Sequence, residues 1–248
     1  AFNSQLEWDE LEQLDAVATV WAEPNTRAFT NADPARYSRY LAAGRELSRR
    51  GWEKIAAGEL RWCGTLAPVE AYAQDAEMSL QEYESFVFGA CHVDGDGDPV
   101  AHWRGVSENL RRHAERLEQL GELRIVGTDT DLVLGVAGRR WQIADGRTNM
   151  PDGEVFTSPV ETETRGEIRF DFPGVFEGRE VADVRLRFEG GRVVSSEASR
   201  GADFLAALLE MDDGASVLGE VAFGLNYEID RFTRNILFDE KIGGTMHV

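Results

Sequence analysis

The sequence predicts an α/β protein in two parts: an N-terminal parallel-sheet α/β domain over residues 1–120, then a strand-rich α+β domain over residues 121–248. Three observations predict the fold. In the first part short apolar runs alternate with helical periods, and strands so separated need crossovers and pair in parallel. After Gly121 one strand signal follows another, with Gly-rich joints between them. The chain is 42% hydrophobic and 10% aromatic, which is enough apolar material for a sizeable core and excludes wholesale disorder.

The elements follow in order. Leu6 to Leu14 reads as a short polar-faced helix. Ala16 to Trp21 is a compact apolar run, which predicts a buried strand. Asn25 to Asp33 is loop. Asp33-Pro34 opens a helix, with Asp as N-cap and Pro in the first turn. Its apolar face is Tyr37, Tyr40, Leu41, Gly44, Leu47, Trp52 and Ile55. Leu60 to Leu66 is a second strand. Pro68 starts a helix running to Met78, and Ser79-x-x-Glu82 is a capping box for the next. Pro99 begins a long helix with Trp103, Val106, Leu110, Leu117 and Leu120 on one stripe. Beyond Gly121 strands are predicted at Glu122–Val126, Thr130–Val136, Arg140–Ala144, Gly166–Phe172, Ala182–Phe188 and Arg192–Ala198. Glu189-Gly190-Gly191 is a hairpin turn, and Ala202 to Met211 is a helix.

Charge narrows the function. Asp and Glu number 45 against 26 Lys and Arg, a net charge of −19. Such a chain repels phosphate backbones and anionic membrane surfaces, so nucleic acid and membrane are not expected partners. No apolar run approaches the ~20 residues of a membrane span, and no signal peptide opens the chain. Only Lys54 and Lys241 are lysines; every other basic residue is Arg. An acid excess with almost no Lys predicts a protein that works at high salt, where like-charge repulsion is screened. Two cysteines, Cys63 and Cys91, are too few for a disulfide framework and read as free thiols of a reducing cytosol.

Three polar segments stand out in the second part. In Asn149-Met150-Pro151-Asp152-Gly153-Glu154-Val155-Phe156-Thr157-Ser158-Pro159, a Pro and a Gly constrain the backbone around one carboxylate, Glu154. In Leu218-Gly219-Glu220-Val221-Ala222-Phe223-Gly224, Glu220 sits among small and apolar residues, which predicts a carboxylate that is paired or binds a cation. Asp239-Glu240-Lys241-Ile242-Gly243-Gly244-Thr245-Met246-His247 adds acids and a His beside a diglycine. Glutamates and a His converging from different strands suit Zn, Co or Mn.

The string NMPDGEVFTSPVE, then LGEVAFG, then LFDEKIGGTMH resembles the thermophilic-type metalloaminopeptidase family, the aminopeptidase T-like enzymes. DAVATVWAEPNTR, RWCGTLAPVEAYAQDAEMSLQEYESFVF and DPVAHW resemble that family's N-terminal domain. The resemblance implies a cytoplasmic, homodimeric exopeptidase acting on peptides with a free N-terminus through two divalent metal ions (Zn, Co, Mn or Mg). It implies metal ligation by Glu154, Glu220, Glu240 and His247, with Glu220 bridging. It further implies a metal-activated water as the attacking group and a carboxylate as proton shuttle. The family pattern continues past this His with a Tyr and a His-x-Asp pair. The chain therefore reads as part of a longer frame, holding part of the metal shell and inactive in isolation. A truncated or degenerate relative that binds peptide or a partner without cutting is the alternative.

Other chemistries fit less well. Asp94-Gly95-Asp96-Gly97-Asp98 opens like a calcium loop, but its twelfth position is Gly105 rather than Glu. His92, His102 and His113 have no acid cluster at ligand spacing. The six Trp read as core. No nucleophile elbow surrounds Ser158, Ser195 or Ser196, and no Gly-rich phosphate signature is present. A glycosidase using Glu154 and Glu220 as acid and base needs no metal, which separates it from the peptidase reading.

Overall fold

The computed structural model describes residues 4–30, 32–176 and 179–248. Helix α1 (Gln5–Gln13) and strand β1 (Ala16–Trp21) come first, then α2 (Pro34–Ala56) and β2 (Arg61–Leu66). β1 and β2 pair in parallel from Ala16 opposite Arg61 to Trp21 opposite Leu66, with α2 as the crossover that parallel pairing needs. The start of α2 follows the sequence reading: the Arg36 N–H donates to the Asp33 side chain, and Pro34 sits in the first turn. β1 itself corrects an expectation. Val20 is 58% and Trp21 37% exposed; consecutive residues point to opposite faces, and this end of the two-stranded sheet is open on both. Tyr40 and Trp52 on α2 are exposed as well, so not every Trp is core. The side chains of Tyr37 and Leu41 lie outside the described residues.

Three helices follow: α3 (Glu70–Asp75), α4 (Leu80–Ala90) and α5 (Pro99–Leu117). α3 is shorter than the predicted Pro68–Met78. Its N-cap, Val69, offers no side-chain acceptor. α4 carries the predicted capping box with both bonds made: Glu82 N–H donates to Ser79 Oγ, and Ser79 N–H to Glu82 Oε2. Asp98 caps α5 by accepting from the Val100 and Ala101 N–H groups. The acidic run before α5 thus ends as a helix cap. His92 and His102 stack on each other with ring centroids 3.5 Å apart.

The second part holds two antiparallel sheets. The larger comprises β3 (Glu122–Gly127), β4 (Thr130–Gly135), β7 (Arg165–Arg169), β10 (Arg185–Glu189) and β11 (Arg192–Glu197), in the order β11-β10-β7-β4-β3. All five answer to predicted strands. The smaller comprises β5 (Gln142–Ala144), β6 (Glu154–Thr157), β12 (Val221–Gly224) and β13 (Met246–His247), in the order β13-β12-β6-β5. A hairpin of β8 (Gly174–Phe176) and β9 (Arg179–Val181), helix α6 (Ala202–Leu209) and the short α7 (Ile236–Asp239) complete the chain. Of the smaller sheet, only β5 is anticipated from sequence.

Two apolar clusters hold these layers, and each draws on residues from both sides of Gly121. One joins Leu66, Tyr72, Tyr83 and Val87 to Ile229, Leu237, Phe238 and Ile242. The other packs Leu110 and Ala114 of α5 onto Val155, Val221, Leu132, Leu134 and Trp141. Both cysteines are free, Cys91 buried and Cys63 partly so. Burial, reinforced by the neighbouring Cys63, pushes the Cys91 thiol from an ordinary 9.0 to about 12. The sign is that of an acid with a raised folded value. Stability is fully present while the unfolded thiol stays protonated, and it falls as pH rises above about 8.5, where only the unfolded thiol ionises. Native alkylation of Cys91 at mildly alkaline pH is expected to be far slower than in denaturant. Mass spectrometry of labelled Cys91 peptides checks this, and equal rates in both conditions would contradict it.

Candidate metal centre

The smaller sheet explains how distant residues meet. In its register Ala222 lies opposite Phe156 on one side and His247 on the other, and Gly224 lies opposite Glu154. Side chains two apart share a face, so Glu154, Ala222, Gly224 and His247 all point the same way. Glu220 precedes β12 with the same parity. β12 lies between β6 and β13 and presents only Ala222 and Gly224 on this face. Long side chains from the outer strands can therefore reach across it. Glu154 Oε2 and His247 Nε2 approach to 3.6 Å, and Glu220 Oε1 lies 3.2 Å from the same nitrogen.

Glu240 arrives from another direction. It is the C-cap of α7, a single turn whose N-cap Asn235 accepts from the Leu237 N–H. Its neighbour Asp239 turns away, accepting from both the N–H and the hydroxyl of Thr233. Burial, opposed by those bonds, pushes the Asp239 carboxyl up to about 6. Among the described residues Glu154, Glu240 and His247 form the cluster whose ligand atoms all lie within 4.8 Å of one another.

Glu154 is buried and Glu240 and His247 are partly so; the cluster is mostly acidic, and Lys241 balances its charge. The Lys241 ammonium donates to Glu240 Oε2 at 2.7 Å and lies 3.3 Å from Glu154 Oε1. Burial works against this ammonium, but Glu154 and Glu240 outweigh it and hold it above the ordinary lysine range. For Glu154, burial outweighs the pull of Lys241 and His247 and raises its carboxyl. Asp152, fully buried beneath the motif, is pushed up to about 7 by burial against the pull of Lys241. Gly146 N–H donates to one of its oxygens. Asn226 ties the motif to the N-terminal half, its amide donating to the Ala90 and Asp152 carbonyls. Gly153 has φ +122°, and a Cβ there would stand 2.9 Å from that of Asn226. That glycine is what lets the chain turn into β6 beside Asn226.

The predicted residues therefore converge, with one correction. Glu154 and His247 face each other, and Glu240 joins them. Glu220 is not the buried carboxylate its apolar neighbours suggest. Its side chain is 41% exposed, and it lies outside the tight cluster, beside His247. The apolar neighbours point into the core, while Glu220 sits one residue before the strand begins. The sequence reading assigns no role to Lys241, Asp152 or Asn226. The available signal was Lys241 itself, one of only two lysines in an arginine-rich chain.

Two carboxylates and an imidazole around one point make a donor set for a borderline divalent cation. Two buried atoms, Glu154 Oε2 and His247 Nδ1, have no hydrogen-bond partner, and Oε2 faces the cluster. The residues present fit such an ion. The thermophilic metalloprotease (M29) family model matches residues 2–248. The chain belongs to the M29 family. This M29 chain is 36% identical over 157 residues to "Aminopeptidase T" of Thermus aquaticus, covering 59% of this chain and 38% of that protein. It is 35% identical over 215 residues to "Aminopeptidase T" of Thermus thermophilus, covering 79% and 52%. It is 26% identical over 264 residues to "Aminopeptidase AmpS" of Bacillus subtilis, covering 96% and 63%. A solved structure, wild-type AmpT from Thermus thermophilus, superposes with a TM-score of 0.84 at 25% identity, covering 98% of this M29 chain and 64% of that one. The chain thus spans less than two thirds of the length of each of these relatives. The mixed α/β architecture is that of the M29 fold.

Proposed function

We propose that this chain carries the metal-holding core of an aminopeptidase that removes N-terminal residues from peptides. The observation that carries the proposal is the cluster of buried Glu154 with half-buried Glu240 and His247, ligand atoms within 4.8 Å, in an M29 chain. Glu154, Glu240 and His247 would hold a divalent ion, and Glu220 at the rim would be shared with a second. Such ions supply Lewis acidity, making a water nucleophilic near neutral pH and polarising the scissile carbonyl. The chain's own residues do the rest. Lys241 keeps the carboxylates apart in charge and together in space. The chain's net charge of −19 attracts the cationic α-amine of a peptide and gives a neutral blocked terminus no such pull. The remaining expectations belong to the same proposal: a homodimer in the cytoplasm, adapted to salt. The last gains from the burial of both lysines, Lys54 at 4% and Lys241 at 2% exposed, which leaves the acidic surface to arginine.

Chelation tests this reading. In protein expressed from the full reading frame, peptide hydrolysis is expected to disappear on dialysis against a chelator and to return with added Co²⁺, Mn²⁺ or Zn²⁺. N-acetylation of the peptide is expected to abolish cleavage. Hydrolysis indifferent to chelator, or equal on acetylated peptide, would contradict it.

A further inference from the structure

We propose that Lys241 is a positioning residue of the metal site: its ammonium grips one oxygen each of Glu154 and Glu240 and so presents their remaining oxygens, with His247, to one cation. This rests on the metal-site reading above and adds a residue to it. The geometry is that of a brace. Lys241 Nζ reaches Glu240 Oε2 at 2.7 Å and Glu154 Oε1 at 3.3 Å. Glu154 Oε2 is thereby left without a hydrogen bond, turned to His247 Nε2 3.6 Å away.

The brace is itself held. Lys241 N–H donates to the Phe238 carbonyl, and its own carbonyl accepts from Asn226 N–H. The backbone here crosses directly over Gly224, the residue opposite Glu154 in the sheet. A Cβ on Gly224 would stand 2.3 Å from the Ile242 oxygen and 2.8 Å from the Lys241 carbonyl carbon. A glycine is therefore needed for Lys241 to pass close enough to reach Glu154. The chain's other lysine, Lys54, donates to the Leu11 and Glu12 carbonyls at the end of α1. Neither lysine is a surface charge, and Lys241 alone touches the cluster.

Two effects of Lys241 oppose each other. As a cation it competes with a metal for the carboxylates, so its removal would tighten metal binding. As a brace it orients them, so its removal would weaken binding. Residues that orient metal ligands are worth about 10- to 100-fold in affinity. The glutamates come from a strand and from a one-turn helix, and among the described residues Lys241 is the ammonium that contacts both carboxylates, so orientation should win.

The test is Co²⁺ affinity by competition with a chromophoric chelator, together with the visible absorption of the bound Co²⁺. The wild-type protein comes first. If it binds no Co²⁺, the metal-site reading fails and Lys241 is not at issue. If it binds, Lys241→Met is expected to bind about 10- to 100-fold more weakly with an altered absorption spectrum, at wild-type helicity by circular dichroism. Lys241→Gln keeps a donor but no charge, and is expected to fall between Met and wild type. Variants that bind as tightly as wild type, or more tightly, would overturn the proposal and make Lys241 a counter-charge only. Should Lys241→Met fail to fold, Lys241→Gln decides alone: weaker binding than wild type supports the brace, and equal or tighter binding overturns it.

Discussion

Replacing Phe238 by Ala is expected to cost about 3–5 kcal/mol of stability, the range for emptying a buried aromatic site, and to weaken metal binding as well. Phe238 is fully buried, and its ring lies 5.1 Å from Phe86 and 6.2 Å from Tyr83. These contacts hold α7 against α4. A helix of one turn has no stability of its own, since nucleation costs more than its few bonds return. The position of Glu240 thus depends on the anchorage of Phe238 and Leu237, with Asp239 pinned to Thr233 as a second tie. Losing the anchor loosens Glu240 and the adjoining Lys241. Urea denaturation gives the stability change, and Co²⁺ titration of the still-folded variant gives the second effect. A cost below about 1 kcal/mol, the typical effect of an arbitrary substitution, would show that the aromatic cluster does not hold α7 in place.

How much of this was legible in the sequence depends on the kind of signal. Caps were legible because they are local. Asp33 and Ser79 each act within three residues, and both bonds form as read. The larger sheet was legible because its strands alternate, as in Arg185–Glu189 with one face in and one out. β6 and β12 carry no such mark because they are four residues long and buried on both faces, so they show no alternation. Yet these are the strands that build the centre. The candidate site was reached instead through polar residues placed where apolar ones are expected, and through family resemblance. That route finds ligands but not their supports. Lys241 is silent in pattern because its partners are 87 residues away at Glu154 and one away at Glu240. The exposure of Glu220 is hidden in the sequence for a related reason. Apolar neighbours report where a segment packs, and not which way one side chain at its edge turns.

Glu154→Gln should separate the site from the fold. The substitution preserves shape, and the amide oxygen can still accept from Lys241 in place of Oε1. What changes is the other end, where Oε2 now faces His247 without a hydrogen bond. There the amide presents N–H donors to the point where a cation would sit. An anionic ligand contact of several kcal/mol is lost, which is on the order of 10³-fold in affinity at ~1.4 kcal/mol per tenfold. The metal-free fold should hardly notice. Burial raises the Glu154 carboxyl, so its ionised form is already costly there, and Lys241 keeps Glu240 at 2.7 Å. A ligand at about 100 times its dissociation constant stabilises the folded state by ~2.7 kcal/mol, so wild-type protein should melt measurably higher with Co²⁺ than without it. Glu154→Gln should melt like metal-free wild type in both conditions. This pattern is opposite to that of Phe238→Ala, in which stability and metal binding fall together. An undiminished Co²⁺-induced shift in Glu154→Gln would remove Glu154 from the ligand set, and with it the convergence of β6, α7 and β13 on one ion.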